Sequence, residues 1–176
     1  MTTQQLLPAR LALATGALAI ALASTVCMST NAHADALSHY EPQTFAMAEK
    51  ALERGNPDRA LKLLHSQRAM LSHNKHVGRT EALVCRAQFE KRDFAAAEHA
   101  CNVAVQRGRH QDMWSHLNNR GAVRLILGRY DEALADFRKA TRLNPDSRDA
   151  RQNYQLARRI VREGGSQPGL DQVSML

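Results

Sequence analysis

The chain has 176 residues, with 9 Gly, 5 Pro, 5% aromatic residues and a formal net charge of +7. That length suits one domain or a short repeat array, and the absence of any long apolar/polar alternation argues against a sheet protein. The basic residues are interleaved with 17 acids and form no dense Lys/Arg block, so they are read as a solvated surface, and nucleic acid is not the expected partner.

The N-terminus reads as a targeting segment. Arg10 is the one charged residue before Asp35, and an apolar run from Leu11 to Ala23 follows it. The chain then turns polar through Ser24, Thr25, Ser29, Thr30 and Asn31 and reaches Ala32-His33-Ala34. A basic start, an apolar centre and small residues at −3 and −1 describe a secretory signal peptide over residues 1–34, cleaved between Ala34 and Asp35. A retained anchor is the alternative, but it needs about 20 apolar residues. Cys27 follows Val26 rather than a small residue, which is a poor lipoprotein signal. The expected location is periplasmic or secreted, with membrane contact only through this segment if it is uncleaved.

Three helical segment pairs come next. The first, about 41–74, carries Ala48, Leu52, Gly55, Ala60 and Leu64, and ends in the linker LSHNKHVGRT. The second, 78–111, carries Val84, Cys85, Phe89, Phe94, Ala97, Cys101 and Ala104 at matching intervals. The third, 114–147, carries Trp114, Leu117, Gly121, Gly128, Tyr130, Ala133, Phe137, Ala140 and Pro145. The text CRAQFEKRDFAAAEHACNVAV parallels GAVRLILGRYDEALADFRKAT at an offset of 36. Small residues such as Gly121 and Ala133 let two antiparallel helices approach closely. Gly128 suits a positive φ at a helix end, and Pro145 stops the second helix.

The third segment resembles a tetratricopeptide repeat (TPR) of the exported bacterial type, and the other two fit the same 34-residue frame. Counting Trp114 as position 1 makes Gly121 position 8 and Phe137 position 24. Arg124, at position 11, stands where a large aromatic is usual. In the second repeat Glu81 departs at position 4, and Arg92 takes the place of the turn glycine. In the first repeat Gln67 departs at position 27. After Pro145, Ser147 is placed to cap a further helix over 148–163. In it Ala150, Tyr154, Ala157 and Val161 recur at helical spacing, as a solenoid cap would. Gly164-Gly165 ends it, and 164–176 reads as a flexible tail. The resemblance implies an all-α, right-handed solenoid of about three helix-turn-helix repeats plus a capping helix, with the repeat domain spanning 35–163.

Chemistry-bearing motifs are sparse. The chain has no Gly-rich phosphate loop and no Gly-x-Ser-x-Gly elbow. Of eight His, His65, His73 and His76 cluster in sequence, but no Asp, Glu or Cys accompanies them from Arg59 to Thr80. A zinc site needs three or four ligands. An enzyme, a cofactor and a metal site are therefore not expected. Cys85 and Cys101 stand at positions 8 and 24. An export signal favours a structural disulfide between them, and two buried thiols are the alternative. Positions 8 and 24 lie about a turn from the closest pair in the family, which counts against the bridge.

The resemblance further implies a protein–protein interaction module that holds a peptide or partner protein in the groove lined by its first helices. The compartment makes that partner an envelope or secreted protein. A structural accessory subunit of an envelope assembly or secretion complex is the alternative. The implied groove residues are Arg79 and Arg86 from the second repeat, Asn118 and Asn119 from the third, and Gln152 and Asn153 from the cap. Phe45, Leu83 and Phe89 are expected beside them. Asparagine can donate to and accept from an extended backbone, and arginine matches a carboxylate, so an extended acidic segment or a free C-terminus is the expected ligand.

Overall fold

A computed structural model describes residues 43–70, 76–165 and 168–176. The segment read as a signal peptide and its Ala34/Asp35 junction lie outside the described residues, as does His73. Among the described residues there are seven α-helices and no strand: α1 over 43–53, α2 Pro57–Met70, α3 Val77–Glu90, α4 Phe94–Arg107, α5 Met113–Ile126, α6 Tyr130–Leu143 and α7 Arg148–Arg162. Short 3₁₀ turns occupy His110–Asp112 and Leu170–Gln172. None of these helices is long and apolar enough to cross a membrane.

Local chemistry explains where the helices begin and end. Asn56 Oδ1 accepts from the Arg59 N–H (3.1 Å), Asp93 Oδ1 from Ala96 (3.1 Å) and Ser147 Oγ from Ala150 (3.2 Å), so α2, α4 and α7 each start on a side-chain cap. The turns after α1 and α5 use Gly55 and Gly128 at φ 65° and 78°. The turn after α3 puts Arg92 at φ 63°, a conformation L side chains disfavour. Asn144 leaves the helical region at φ −138°, ψ 87°, as a residue before proline must.

From α2 onward each helix packs on the next in sequence, and α5 also touches both α3 and α7, so the first helices line one wall. This is an all-α helical-repeat solenoid. One buried cluster runs through it, from Phe45, Ala48 and Leu64 through Val84, Cys85 and Cys101 to Phe137, Leu156 and Ile160. Alanines at the seams (Ala60, Ala97, Ala133) are fully buried and set the close helix spacing. On α7 the buried stripe is Ala150, Asn153, Leu156, Ala157 and Ile160, with Tyr154 and Val161 only half-buried. Cys85 and Cys101 are joined by a disulfide, with their Cα atoms 5.2 Å apart. The geometric objection raised by the family spacing does not hold in this chain.

The Arg124 departure has a structural answer. Arg120 forms a two-pronged bond to Asp136 (Nε–Oδ2 2.9 Å, Nη2–Oδ1 2.7 Å), and Arg124 Nη1 donates to Asp136 Oδ2 at 2.7 Å. Arg124 also reaches Glu132 at 3.4 Å and Glu98 of α4 at 3.8 Å, and Arg129 pairs with both of those acids. The buried Asp136 carboxylate thus replaces aromatic packing with ionic hydrogen bonds inside the last repeat, and Glu98 ties that network to the second repeat.

Candidate functional site

The concave wall has two halves of different character. In the α5–α7 half, Asn118, Asn119 and Asn153 are buried. Asn119 and Asn153 both fall at position 6 of their repeat frame, on successive first helices, so the solenoid geometry brings them to one line. Their amides are fully engaged with backbone from the far end of the chain. Asn153 Nδ2 donates to the Ser174 carbonyl at 2.7 Å, while Ser174 N–H donates to Asn153 Oδ1 at 3.0 Å. Asn119 repeats the pattern with Leu176, at 2.6 and 2.7 Å. Asn118 Nδ2 also reaches the Ser174 carbonyl (3.0 Å), and its Oδ1 accepts from Asn153 (3.0 Å).

The segment read from sequence as a flexible tail is therefore seated in the groove. Val173 is buried, and Met175 packs against the core. The physical reason is complementarity. Two asparagine amides offer a donor and an acceptor each, and an extended backbone presents matching groups at every second residue.

The α3 half is open. Its depression is lined by Glu49, Arg79, Leu83, Arg86, Arg109 and His116, and Leu176 marks where the tail meets it. Arg79 donates to Glu49 Oε1 at 2.8 Å and lies over the Phe45 ring, 4.6 Å from its centroid. Arg86 Nε pairs with Glu90 one turn on at 3.3 Å. Burial raises the Glu90 pKa, and the Arg86 guanidinium only partly offsets this. Both arginines expected to meet an acidic ligand thus already have acidic partners from this chain. Of the expected apolar groove residues, Leu83 lines the depression, Phe45 lies beneath Arg79, and Phe89 turns into the core against Phe94.

Gln152 does not join the asparagines. It is exposed and lines a separate shallow depression with Arg148, Arg151, Arg159 and Gln172. Its repeat equivalent, Asn118, reaches forward onto Asn153 of the next helix. Among the described residues no helix lies ahead of α7 for Gln152 to meet.

Sequence reasoning missed His116. It is buried with both ring nitrogens lacking a hydrogen-bond partner, and its ring lies against the Gly108 backbone, where an added Cβ would meet Cδ2 at 2.3 Å. Burial lowers its pKa, and the Asp112 carboxylate opposes this weakly. The missing signal was Gly108 itself, whose bare backbone makes room for the imidazole. Among the described residues no group of three His, Cys, Asp or Glu is placed to hold a metal ion.

The tetratricopeptide repeat family model matches residues 115–147 of the chain. No relative among the curated proteins matches it. Among solved structures, the chain is similar to the first TPR of Spaghetti (RPAP3) bound to the HSP90 peptide SRMEEVD, at 23% identity over 68% of this chain and 90% of that one, with a TM-score of 0.58. It is similar to the second TPR domain of human RPAP3 in complex with the HSP70 peptide SGPTIEEVD, at 20% identity over 65% and 92%, with a TM-score of 0.57. The first TPR domain of human RPAP3 gives 23% identity over 68% and 91%, with a TM-score of 0.59. At these identities the likeness is one of fold.

Proposed function

We propose that this chain is a protein–protein interaction module of the bacterial envelope whose concave groove holds an extended segment of an envelope or secreted protein. The observation that carries the reading is the pair of closed amide–backbone bonds made by Asn119 and Asn153. A wall that binds main chain at two consecutive rungs, with an open stretch beyond it, is built for a linear ligand. Two of the similar structures are described as holding peptides, SRMEEVD and SGPTIEEVD, which supports a peptide or protein partner here. The envelope location rests on the sequence of residues 1–34, and catalysis forms no part of the reading.

A photo-crosslinking amino acid placed at Arg86, in the open half of the groove, tests it against the same group at Lys139, exposed on α6. Crosslinking in cell-envelope preparations is expected to yield a discrete partner adduct from position 86 and none from 139. An adduct from 139 alone overturns the groove. N-terminal sequencing of the exported form is expected to begin at Asp35, and a full-length membrane-embedded product would reject cleavage.

A further inference from the structure

The groove carries information about its own ligand, because part of it is filled by this chain. Ser174 and Leu176 each give both backbone groups to one asparagine, and the residues between and before them, Met175 and Val173, turn toward the core. A spacing of two residues between bonded positions is that of an extended chain, whose side chains alternate between faces. The seated residues Val173, Ser174, Met175 and Leu176 have uncharged side chains. The arginines of the groove lie in its other half, where Arg79 and Arg86 are paired with Glu49 and Glu90 and Arg109 donates to Gln111.

We propose that residues 173–176 act as a ligand in cis that closes the α5–α7 half of the groove. A partner must displace them with an extended segment of the same pattern: apolar side chains at alternate positions and a backbone N–H at each of the two bonded positions. This rests on the groove-binding reading above and makes it specific. All three asparagine side chains are buried and each donates its Nδ2 to the tail backbone, so the tail's departure leaves those groups needing new partners. A segment offering the same N–H and C=O groups restores those bonds, whereas proline at a bonded position cannot. A tethered segment acts at an effective concentration on the order of millimolar, so a partner in trans meets a competitor that dilution does not remove. Apparent affinity then falls in proportion to the fraction of chains whose groove is open.

The test uses the full chain and a fluorescent peptide of residues 171–176, DQVSML. Two variants unseat the tail by different routes. Val173→Asp with Met175→Asp places charge against the core, and Ser174→Pro removes the N–H that Asn153 accepts. Each is expected to bind the peptide at least tenfold more tightly than the parent, with unchanged helicity. Adding Asn119→Ala and Asn153→Ala is expected to abolish that binding. In the parent, the Ser174 and Leu176 N–H groups are expected to be protected from hydrogen exchange. Equal peptide binding by parent and both variants, no binding by either variant, or unprotected amides would each overturn the proposal. The Arg86 crosslink separates this from the broader reading. A partner adduct from position 86 that is insensitive to unseating the tail leaves the interaction module standing and overturns the cis ligand.

Discussion

Cys85 and Cys101 occupy, across the α3–α4 seam, the two positions that Gly121 and Phe137 occupy across the α5–α6 seam. In the last repeat a Cβ added to Gly121 would meet the Phe137 ring at 2.8 Å, so one side chain fills the space of both. In the second repeat two medium side chains share that space and bond covalently. In the first repeat Ala48 and Leu64, both fully buried, fill it by packing alone. One geometric slot is thus met by three chemistries.

The bridge closes a loop with a sequence separation of 16. In the chain-entropy account a loop of that size is worth about 3 kcal/mol. The variant with Cys85→Ala and Cys101→Ala is expected to lose about that much stability in urea unfolding, and the parent to lose a similar amount on reduction. Two alkylatable thiols in native, oxidised protein would show that the bridge does not form.

The helices and their repeat frame were legible in the sequence because the forces that set them are local and periodic. Gly128, Ser147 and Pro145 announce turns, caps and stops wherever they occur. The asparagine pairs were legible in part: Asn119 and Asn153 share a frame position that faces the groove. Their occupant was not, because the pairing of Asn153 with Ser174 depends on where the chain returns, and a Gly/Ser/Pro-containing stretch looks the same whether or not it docks. Arg124 stood out as a departure, but its resolution by Asp136 and Glu98 lies in partners that only the packed seam brings within reach.

Asp136 is the hub of the arginine network and is nearly fully buried at 5% exposure, while Arg120 and Arg124 keep 17% and 14% of their side-chain surface. Removing the carboxylate takes from the largely buried Arg120 the acid it bonds and leaves Arg124 only its longer contacts to Glu132 and Glu98. Asp136→Ala is expected to destabilise the fold by about 3 kcal/mol, the lower end of what breaking a buried pair costs. Glu132→Gln, at the exposed edge of the same network, is expected to change stability by less than about 0.5 kcal/mol. Equal effects from the two variants in chemical unfolding would show that burial does not set the strength of these bonds.

Arg92 holds φ at 63° in the turn where the other two repeats use glycine. A left-handed conformation costs a side-chain-bearing residue about 1–2 kcal/mol. Glycine removes that strain but gains entropy in the unfolded chain, which trims the benefit. Arg92→Gly is expected to raise stability by about 1 kcal/mol, seen as a higher urea midpoint with an unchanged slope. A lower midpoint would mean that the arginine side chain contributes more than its backbone strain removes.

His116 makes the fold sensitive to mild acid. Its pKa is lowered from the ordinary 6.5 because burial against the α4 end withdraws the imidazolium from water, and neither ring nitrogen has a hydrogen-bond partner. Between the lowered folded value and 6.5 the unfolded chain therefore binds more protons than the native one, and stability rises with pH across that window. The full stability is present above about 6.5 and is lost as pH falls through the window. Glu81 works in the opposite direction. Its burial raises its pKa from 4.5, with the Arg68 pair at 3.0 Å only partly compensating, so its contribution is present below 4.5 and fades as pH rises through the raised value. The two effects overlap in the parent, and a single variant separates them. His116→Leu keeps a side chain of similar bulk at the site and removes the titration. Urea unfolding of parent and variant at pH 7 and pH 5 is expected to show the stability difference shifting in favour of the variant as the pH falls. If that difference is the same at both pH values, His116 titrates alike in the folded and unfolded chains, and its burial does not govern the acid response.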